Sequence, residues 1–361
     1  MVLPGLRNLN QLTATLVLLL VASSALAEQE QKQTPAAACA SCHPSQTQTQ
    51  PHTSMGRALQ PPGSNSVLDS HPRLKFQKYG YSYLVETKNG RSTYSVTDGT
   101  RTITLSIRWS FGNGAQTWVF ERDDVYYESL VSYYPSVGGL GITIGDLDIT
   151  PRTLDEALGR RLPPNEPVAC FGCHSTDAVM EGQLLTLGSL KPGVTCEHCH
   201  AGAISHLLSA LSGEAEEPAP PDLRKLAAED LSDFCGQCHR SWEKVIRGPW
   251  RGELNVRFQP YRLANSKCFR GTDPRISCIA CHDPHKDLVT DTAAYDVRCL
   301  ACHALKGAVP AANSQATAKA CPVQKSNCAR CHMPEVKVAG GQASFHDHLI
   351  RVVKPGTPYP D

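Results

Sequence analysis

The sequence carries almost no excess of charge of either sign and contains no run of basic residues. Its 361 residues include 35 Lys and Arg against 34 Asp and Glu, which gives a formal net charge of +1. Proteins that bind nucleic acids through their phosphates carry a basic patch, stripe or tail. The sequence has no such feature, so its composition excludes a nucleic-acid partner of that kind.

Long apolar segments are equally scarce. One lies between Leu12 and Ala27, and no later segment reaches the roughly 20 residues of a membrane-spanning helix. Arg7 is the single charge before it, and Ala25-Leu26-Ala27 fits the small-x-small rule for a cleavage site. We therefore expect residues 1–27 to be a secretory signal peptide, with an uncleaved anchor as the alternative. Cleavage would leave 334 of the 361 residues in the periplasm or outside the cell, without a membrane span.

Large hydrophobic side chains are also few for a chain of this length. Aromatic residues make up 6% of the sequence, with eight Phe and four Trp. Aromatic side chains normally supply much of the buried area of a core. We therefore expect something other than side chains to fill part of the interior.

Cysteine and histidine, in contrast, are abundant, with 16 and 14 copies. Fourteen of the cysteines fall in seven Cys-x-x-Cys-His motifs, which we number 1 to 7 in chain order. The motif residues are Cys39, Cys42 and His43; Cys170, Cys173 and His174; Cys196, Cys199 and His200; Cys235, Cys238 and His239; Cys278, Cys281 and His282; Cys299, Cys302 and His303; Cys328, Cys331 and His332.

This motif is the attachment signature of c-type haem. The two thiols add to the porphyrin vinyl groups, and the histidine binds the iron as its proximal ligand. Seven copies predict seven covalently bound haem c groups, which would form much of the core. Zinc ribbons and thioredoxin-like redox pairs also use Cys-x-x-Cys, but neither needs a histidine after every second cysteine.

The motifs are unevenly distributed, and the long gap between motif 1 and motif 2 has a different pattern. Apolar and polar residues alternate there, with Asn89-Gly90 and Asp98-Gly99 between the alternating runs. Such dipeptides are typical of β-hairpin turns. We expect a small antiparallel β-sheet at residues 73–150, inserted between a haem 1 segment at 28–72 and a six-haem region at 151–361. The sheet is expected to cover haem faces, with partner binding as the alternative.

Outside this sheet, the predicted fold is mostly short α-helices and loops wrapped on haems. Thr153 and Glu156 form a capping box at the start of one helix. Asp222 is a candidate N-cap for a helix that runs from Leu223 to Cys235 and leads into motif 4. The fold class is therefore a multihaem cytochrome c with an inserted antiparallel sheet.

Seven further histidines are candidates for the second, distal ligand of an iron. His198 lies between the two cysteines of motif 3 and is poorly placed, while His346 and His348 are too close together for both to bind. The remaining candidates are His52, His71, His206, His285 and one of the His346/His348 pair, with Met55 as a weak competitor of His52. Seven irons therefore outnumber the good distal candidates, so one haem is expected to be His/Met, five-coordinate, or completed by another chain.

Cys268 and Cys321 belong to no motif. In an oxidising compartment, two unmatched thiols usually pair. We therefore expect a disulfide that ties the loop before motif 5 to the loop before motif 7.

Several segments together resemble the multihaem cytochrome c-552/4 family, the group around the tetrahaem cytochrome c-554. They are Cys39-Ala-Ser-Cys42-His43-Pro44, Thr53-Ser-Met55-Gly56-Arg57, Gly193-Val-Thr-Cys196-Glu-His-Cys199-His200, Ser266-Lys-Cys268-Phe269, Cys278-Ile-Ala-Cys281-His282-Asp283-Pro284-His285, Cys328-Ala-Arg-Cys331-His332-Met333-Pro334 and Asp347-His348. The resemblance implies that His285 and His348 are distal ligands, and that the haems pack in close pairs. Where the family usually has Gly-Pro after the third motif, this chain has Ala201-Gly202.

These features predict an exported heptahaem cytochrome that transfers electrons through closely packed haems, with periplasmic or membrane redox proteins as partners. An oxidoreductase that acts on a small nitrogen or sulfur oxo species at a five-coordinate haem is one alternative. A subunit of a larger cytochrome conduit or filament is another. Related nitrite reductases replace one proximal histidine by lysine, whereas all seven motifs here end in histidine.

Overall fold

The computed structural model describes residues 38–181, 184–213, 220–303, 321–354, 356 and 358–360. The predicted signal peptide at 1–27 lies outside these residues. The α-helices are α1 Pro44–Thr49, α2 Ser66–Ser70, α3 Leu154–Leu158, α4 Glu166–His174, α5 Cys196–Cys199, α6 Ala203–Ser212, α7 Ala228–His239, α8 Trp242–Arg247, α9 Gln259–Ala264, α10 Cys278–Cys281, α11 Asp296–His303 and α12 Cys328–His332. Short 3-10 helices occur at Gln50–His52, Pro62–Ser64, Leu223–Lys225, Gly252–Arg257 and Thr292–Tyr295.

The described residues form more strands than the sequence pattern predicted. They are β1 Leu59–Gln60, β2 Arg73–Lys78, β3 Tyr81–Lys88, β4 Arg91–Thr97, β5 Thr102–Ser106, β6 Trp109–Phe111, β7 Thr117–Arg122, β8 Val125–Ser129, β9 Val131–Tyr134, β10 Gly139–Ile142, β11 Gly159–Arg161, β12 Ser175–Thr176, β13 Met180–Glu181, β14 Leu184–Leu185, β15 Lys191–Pro192, β16 Glu335–Lys337 and β17 Ser344–His346. Much of the chain is therefore β-structure, and the prediction of a mostly helical fold is corrected. The last six strands are two or three residues long, which is too short for an alternating pattern to be read from the sequence.

Two antiparallel sheets dominate the first half of the described chain. One is a meander in the order β2-β3-β4-β5, and the other has the order β1-β6-β7-β8-β11. In the turn between β3 and β4, Asn89 and Gly90 have φ of 52° and 71°, the left-handed values that a two-residue hairpin turn requires. The predicted turn at Asn89-Gly90 is thus confirmed. Asp98 also begins a turn, and its carboxylate accepts hydrogen bonds from two backbone N–H groups between β4 and β5.

The two sheets pack face to face over an aromatic core. Tyr83 and Tyr94 point inward from the meander, and Trp118 and Phe120 point inward from β7. The rings of Tyr94 and Phe120 lie 4.7 Å apart between their centres. Successive residues of a strand face opposite sides of the sheet, so Val119 faces away from this core and joins a second buried cluster that includes Phe171 of α4. The second sheet therefore supports the helix that ends in motif 2.

The helix starts follow capping chemistry only in part. The Thr153 hydroxyl accepts a hydrogen bond from the Glu156 N–H at 3.2 Å, as predicted for the start of α3. Asp222 caps only the 3-10 turn Leu223–Lys225, because Leu226 and Ala227 are extended and α7 begins at Ala228. The predicted continuous helix from Leu223 is therefore wrong. None of the described helices is long and apolar enough to cross a membrane.

Candidate haem-attachment sites

Each of the seven motifs forms a helical turn. The N–H groups of His43, His200 and His282 donate to the carbonyl oxygens of their first motif cysteines at 2.8, 2.9 and 2.8 Å. The other motifs lie at the ends of α4, α7 and α11 and along α12. Residues three apart on a helix lie on the same face, so the two thiols of each motif face the same side. This arrangement fits two bonds to one porphyrin edge, with the histidine one residue farther along.

Two motif histidines lie opposite a second imidazole. The ring centres of His200 and His285 are 6.1 Å apart and their planes are 6° from parallel. The ring centres of His282 and His348 are 6.2 Å apart at 39°. A metal ion bonded at about 2 Å to one nitrogen of each ring would separate the ring centres by about 6 Å. Both pairs therefore have room for one iron between them.

Hydrogen bonds to Nδ1 orient these two non-motif rings. Nδ1 of His348 donates to the His346 carbonyl at 3.0 Å, and Nδ1 of His285 lies 3.3 Å from a carboxylate oxygen of Asp283. A proton on Nδ1 leaves Nε2 with the lone pair that a metal requires. Both rings are thus held in the tautomer suited to ligation.

Motif histidines are oriented in the same way. Nδ1 of His174 donates to the Ala58 carbonyl at 3.0 Å, and Nδ1 of His332 donates to the Arg351 carbonyl at 2.9 Å. Nδ1 of His282 lies 3.4 Å from the Tyr295 hydroxyl. These contacts again leave Nε2 available to an iron.

Burial keeps several of these imidazoles neutral, which is the form that binds a metal. It lowers the pKa of His174, and it lowers the pKa of His239 together with the nearby charge of His174. Burial likewise lowers the pKa of His348 to about 4. A charged imidazole would be poorly hydrated at these buried positions, so the protein favours the neutral ring at neutral pH.

Hydrogen bonds connect motifs that are distant in the sequence. The side-chain amide of Gln50, after motif 1, donates to the Val194 carbonyl before motif 3 at 2.5 Å. The Cys173 thiol of motif 2 lies 3.8 Å from the Gln237 carbonyl inside motif 4. The Asp296 carboxylate, at the start of α11, accepts a bond of 2.8 Å from the Cys328 N–H of motif 7. Helices α7 and α10, which carry motifs 4 and 5, pack against each other.

Thiols of different motifs also lie beside one another. The neighbouring thiol of Cys238 lowers the pKa of Cys173 to about 6, and that of Cys235 lowers the pKa of Cys278. The Cys299 thiol of motif 6 also forms a hydrogen bond with the Cys328 thiol of motif 7. Charge on Cys39, Cys199 and Cys299 contributes to raising the pKa of Cys196, Cys238 and Cys281, so motifs 1 and 3, 3 and 4, and 5 and 6 are also close in space.

A half-buried arginine near motif 4 would suit the carboxylates that a haem carries. Nε of Arg257 is buried and has no hydrogen-bond partner among the described residues. Burial and the positive charge of Arg240, which directly follows His239, lower the pKa of Arg257. A buried N–H group without a hydrogen-bond partner is costly, and each haem has two propionates, which would accept hydrogen bonds from this guanidinium. The residues around motif 4 therefore suit a bound haem.

Two further distal candidates make other contacts. Nδ1 of His71 donates to the Val67 carbonyl at 3.0 Å, and its Nε2 lies 3.3 Å from the Tyr133 hydroxyl of β9. Arg57 donates to Nδ1 of His52 at 3.0 Å, which leaves the proton of a neutral ring on Nε2. The structure thus directs both rings towards protein partners.

The remaining candidates lie on the surface or near motif 3. His346 is exposed and its Nδ1 donates to the Met333 carbonyl at 3.0 Å, while His206 is half-buried on α6. Met55 lies in a loop whose backbone binds the Val194 N–H at 3.0 Å. A Cβ at Gly193, which has φ of 78°, would collide with the Gly56 carbonyl, so glycine is needed at this contact.

The predicted disulfide between Cys268 and Cys321 is not formed, and this prediction is corrected. Both thiols are free. Burial raises the pKa of Cys268, which lies near Cys299 and Cys302 of motif 6, whereas Cys321 is exposed. No group of three or more His, Cys, Asp or Glu in the described residues forms a site for a bare metal ion.

Arg257 and Arg262 are the residues that sequence analysis did not identify. Arg262 lies in α9 and is 1% exposed, although its neighbours Pro260, Tyr261 and Leu263 are hydrophobic. A lone arginine in an apolar helix was the available signal. It pointed to a buried partner without indicating which one.

The family model described as Cytochrome c554 and c-prime matches residues 155–201, which contain motifs 2 and 3. No curated protein sequence matches the chain. Among solved structures, the chain is similar to the outer cell wall cytochrome OcwA, with 15% identity, a TM-score of 0.47, and coverage of 88% of this chain and 79% of that one. The family match supports a c-type cytochrome with covalently bound haem and a role in haem-based electron transfer.

Proposed function

We propose that the chain is an exported heptahaem cytochrome that transfers electrons through a series of closely spaced haems. The observation that carries this proposal is that each attachment turn lies close to another, through the hydrogen bonds, the helix packing and the facing imidazoles described above. Each bound haem would supply a one-electron iron couple, while the protein sets spacing, ligation and polarity. Electrons would enter at one exposed haem edge and leave at another.

His285 and His348 are proposed as distal ligands of the haems at motifs 3 and 5. The ring separations of 6.1 and 6.2 Å and the orientation of Nε2 support this assignment. Two imidazoles on one iron give a six-coordinate centre with no open position. Such a centre suits electron transfer, because no bond to the iron has to form or break.

The haem count tests the attachment. Mass spectrometry of the protein from a host competent in cytochrome maturation should find seven haems. A Cys278→Ala/Cys281→Ala double variant should lose one haem, because motif 5 then has no thiol to form the thioethers. Cys268→Ala is the matched control, since this cysteine is near motif 6 but outside every motif. A colourless wild-type protein, or seven haems in the double variant, would contradict the proposal.

A second candidate function is an oxidoreductase with one five-coordinate haem. The contacts of His52 and His71 with Arg57 and Tyr133 favour it, because they direct two candidate distal ligands elsewhere. Low-temperature EPR of the oxidised protein separates the two functions. Low-spin signals alone support electron transfer, whereas a high-spin signal that changes with nitrite or hydroxylamine supports the enzyme.

A further inference from the structure

The buried ion pair between Arg262 and Asp347 lies beside the proposed distal ligand His348. Nε and Nη2 of Arg262 donate to the two carboxylate oxygens of Asp347 at 2.8 and 3.0 Å. Both side chains are almost fully buried, at 1% and 0% exposure. Nη1 of Arg262 donates to the Pro360 carbonyl at 2.9 Å, and its guanidinium lies 4.6 Å from the centre of the Tyr359 ring. Every side of this guanidinium is thus engaged, and its geometry is fixed.

The backbone on both sides of His348 is attached to the same helix end. The Ser266 hydroxyl, which follows α9, donates to the His348 carbonyl at 3.0 Å and accepts from the Ile350 N–H at 2.8 Å. Asp347, immediately before His348, is held by Arg262. The loop that carries the imidazole is therefore held to α9 and to Ser266 by charged and neutral hydrogen bonds.

The Asp347 carboxylate also connects this loop to motif 7. Nη1 of Arg351 donates to the second carboxylate oxygen of Asp347. The Arg351 carbonyl accepts the hydrogen bond from Nδ1 of His332 at 2.9 Å, and the Arg351 N–H donates to the His332 carbonyl at 3.2 Å. The segment 347–351 therefore orients two imidazoles, one at motif 5 and one at motif 7.

We propose that Arg262 is a positioning residue that holds His348 opposite His282 and, through Asp347 and Arg351, fixes the orientation of His332. This inference rests on the proposed function, because it assigns His348 to the haem of motif 5. A ligand has to stay within a few tenths of an ångström of its bonding position. A bidentate arginine in a buried pair supplies that rigidity, whereas lysine offers a single charged point.

The experiment compares the spin states of the haems in variants of the full haem-loaded protein. His348→Ala is the reference, and it should convert one low-spin centre to high-spin in low-temperature EPR. Arg262→Gln should give the same high-spin signal with all seven haems still attached by mass spectrometry. Added imidazole should restore the low-spin signal in both variants, because it replaces the displaced ring. Arg262→Lys should give a partial high-spin signal.

Arg275→Gln is the matched control. Arg275 also pairs with an aspartate close to motif 5, at 2.6 Å from Asp273, but its side chain is 43% exposed. It contacts neither segment 347–351 nor Ser266 in the described residues, so the spectrum of this variant should equal that of the wild type.

The outcomes are distinct. If His348→Ala leaves every centre low-spin, the assignment of His348 in the proposed function fails. If His348→Ala gives a high-spin centre and Arg262→Gln does not, the positioning role of Arg262 is overturned. If Arg262→Gln yields no haem-loaded protein, the EPR spectrum of Ser266→Ala tests the positioning of His348 instead. A mixed spin state at one centre supports the positioning of His348 from α9, and an unchanged spectrum overturns it.

Discussion

The two halves of the described chain build their interiors from different material. Of the 34 buried hydrophobic residues, 22 lie between Leu59 and Leu162, and 12 are spread over the described residues beyond. The first region has two sheets that pack over aromatic side chains, whereas the second contains six of the seven motifs. A region with few buried side chains needs another source of buried area, and haem would supply it. The first region buries enough side-chain area without a cofactor.

The largest expected effect comes from leaving haem out altogether. In a chain made without cytochrome maturation, residues 59–162 should stay folded, whereas the described residues from 166 to 303 and from 321 to 354 should not. The first region keeps its side-chain core, whereas the second loses the groups that would fill it. Limited proteolysis with mass spectrometry, or hydrogen exchange, should find a protected core in the first region alone. Equal protection of both regions would show that the second also folds on side chains, and the comparison would fail.

The same contrast explains what the sequence could predict. Attachment chemistry demands a contiguous motif, so all seven candidate attachment sites could be predicted from the sequence. The turn at Asn89-Gly90 follows from φ values that few residues adopt. Positions that depend on distant contacts were not visible from spacing alone. The pairs His200 with His285 and His282 with His348 join segments far apart in the chain. His285 and one of the His346/His348 pair were candidates from the residues, and the family resemblance strengthened His285 and favoured His348 over His346. Their binding to iron remains a prediction.

The errors have physical causes too. The predicted disulfide assumed that two leftover thiols meet, but Cys268 lies near motif 6 and Cys321 is exposed. The helix predicted from Leu223 assumed that Asp222 caps α7, although Ala227 precedes α7 in an extended conformation. In each case a tertiary arrangement decided between local alternatives that the sequence leaves nearly equal.

The border between the two regions contains a cluster of charges around the buried Asp146, and this cluster leads to a prediction of intermediate size. Arg160 of β11 binds Glu128 of β8 and Glu166 at the start of α4, at 2.5 and 2.7 Å. Asp146 lies 3.8 Å from Arg160 and is 2% exposed. Burial, with the negative charge of Glu128, raises the pKa of Asp146 to about 6. In the unfolded chain this carboxyl has its ordinary pKa near 3.8.

The folded state therefore binds the Asp146 proton more tightly than the unfolded state. As pH rises from about 4 to about 6, the unfolded chain loses this proton first, so the contribution of Asp146 to stability falls. Asp146→Asn should remove this fall and raise the free energy of unfolding of the β-region at pH 7.5 by about 1–3 kcal/mol. Lost attraction to Arg160 offsets part of the gain.

Thermal unfolding followed by far-UV circular dichroism at pH 4.5 and pH 7.5 measures this effect. The difference in melting temperature between Asp146→Asn and wild type should be larger at pH 7.5. Asp155→Asn is the control, because Asp155 also pairs with an arginine but is 67% exposed. Equal differences in melting temperature at both pH values would mean that the folded protein does not raise the pKa of Asp146.

The smallest predicted effect concerns Arg257, which faces both regions. Glu128 and Tyr134 of the β-region and Arg240 next to motif 4 are all close enough to affect the pKa of Arg257. If it pairs with a haem carboxylate, its positive charge stabilises the reduced iron, which carries one positive charge less than the oxidised iron. Arg257→Gln should then lower the reduction potential of one haem. A single charge acting through partly hydrated protein is worth about 1 kcal/mol, or about 40 mV for a one-electron couple.

Spectroelectrochemical titration of the haem-loaded protein measures this shift, with Arg247→Gln as the control. Arg247 is also a cation of the motif region, but its side chain is 79% exposed and pairs with Glu243 at 2.8 Å. Water screens such a charge, so the titration curve of the control should match that of the wild type. A reduction potential that drops only in Arg257→Gln would place the Arg257 charge next to a haem, at the border between the two regions. Titration curves of Arg257→Gln and Arg247→Gln that both match the wild type would show that Arg257 has no haem partner, and the border between the two regions would then not lie at this residue.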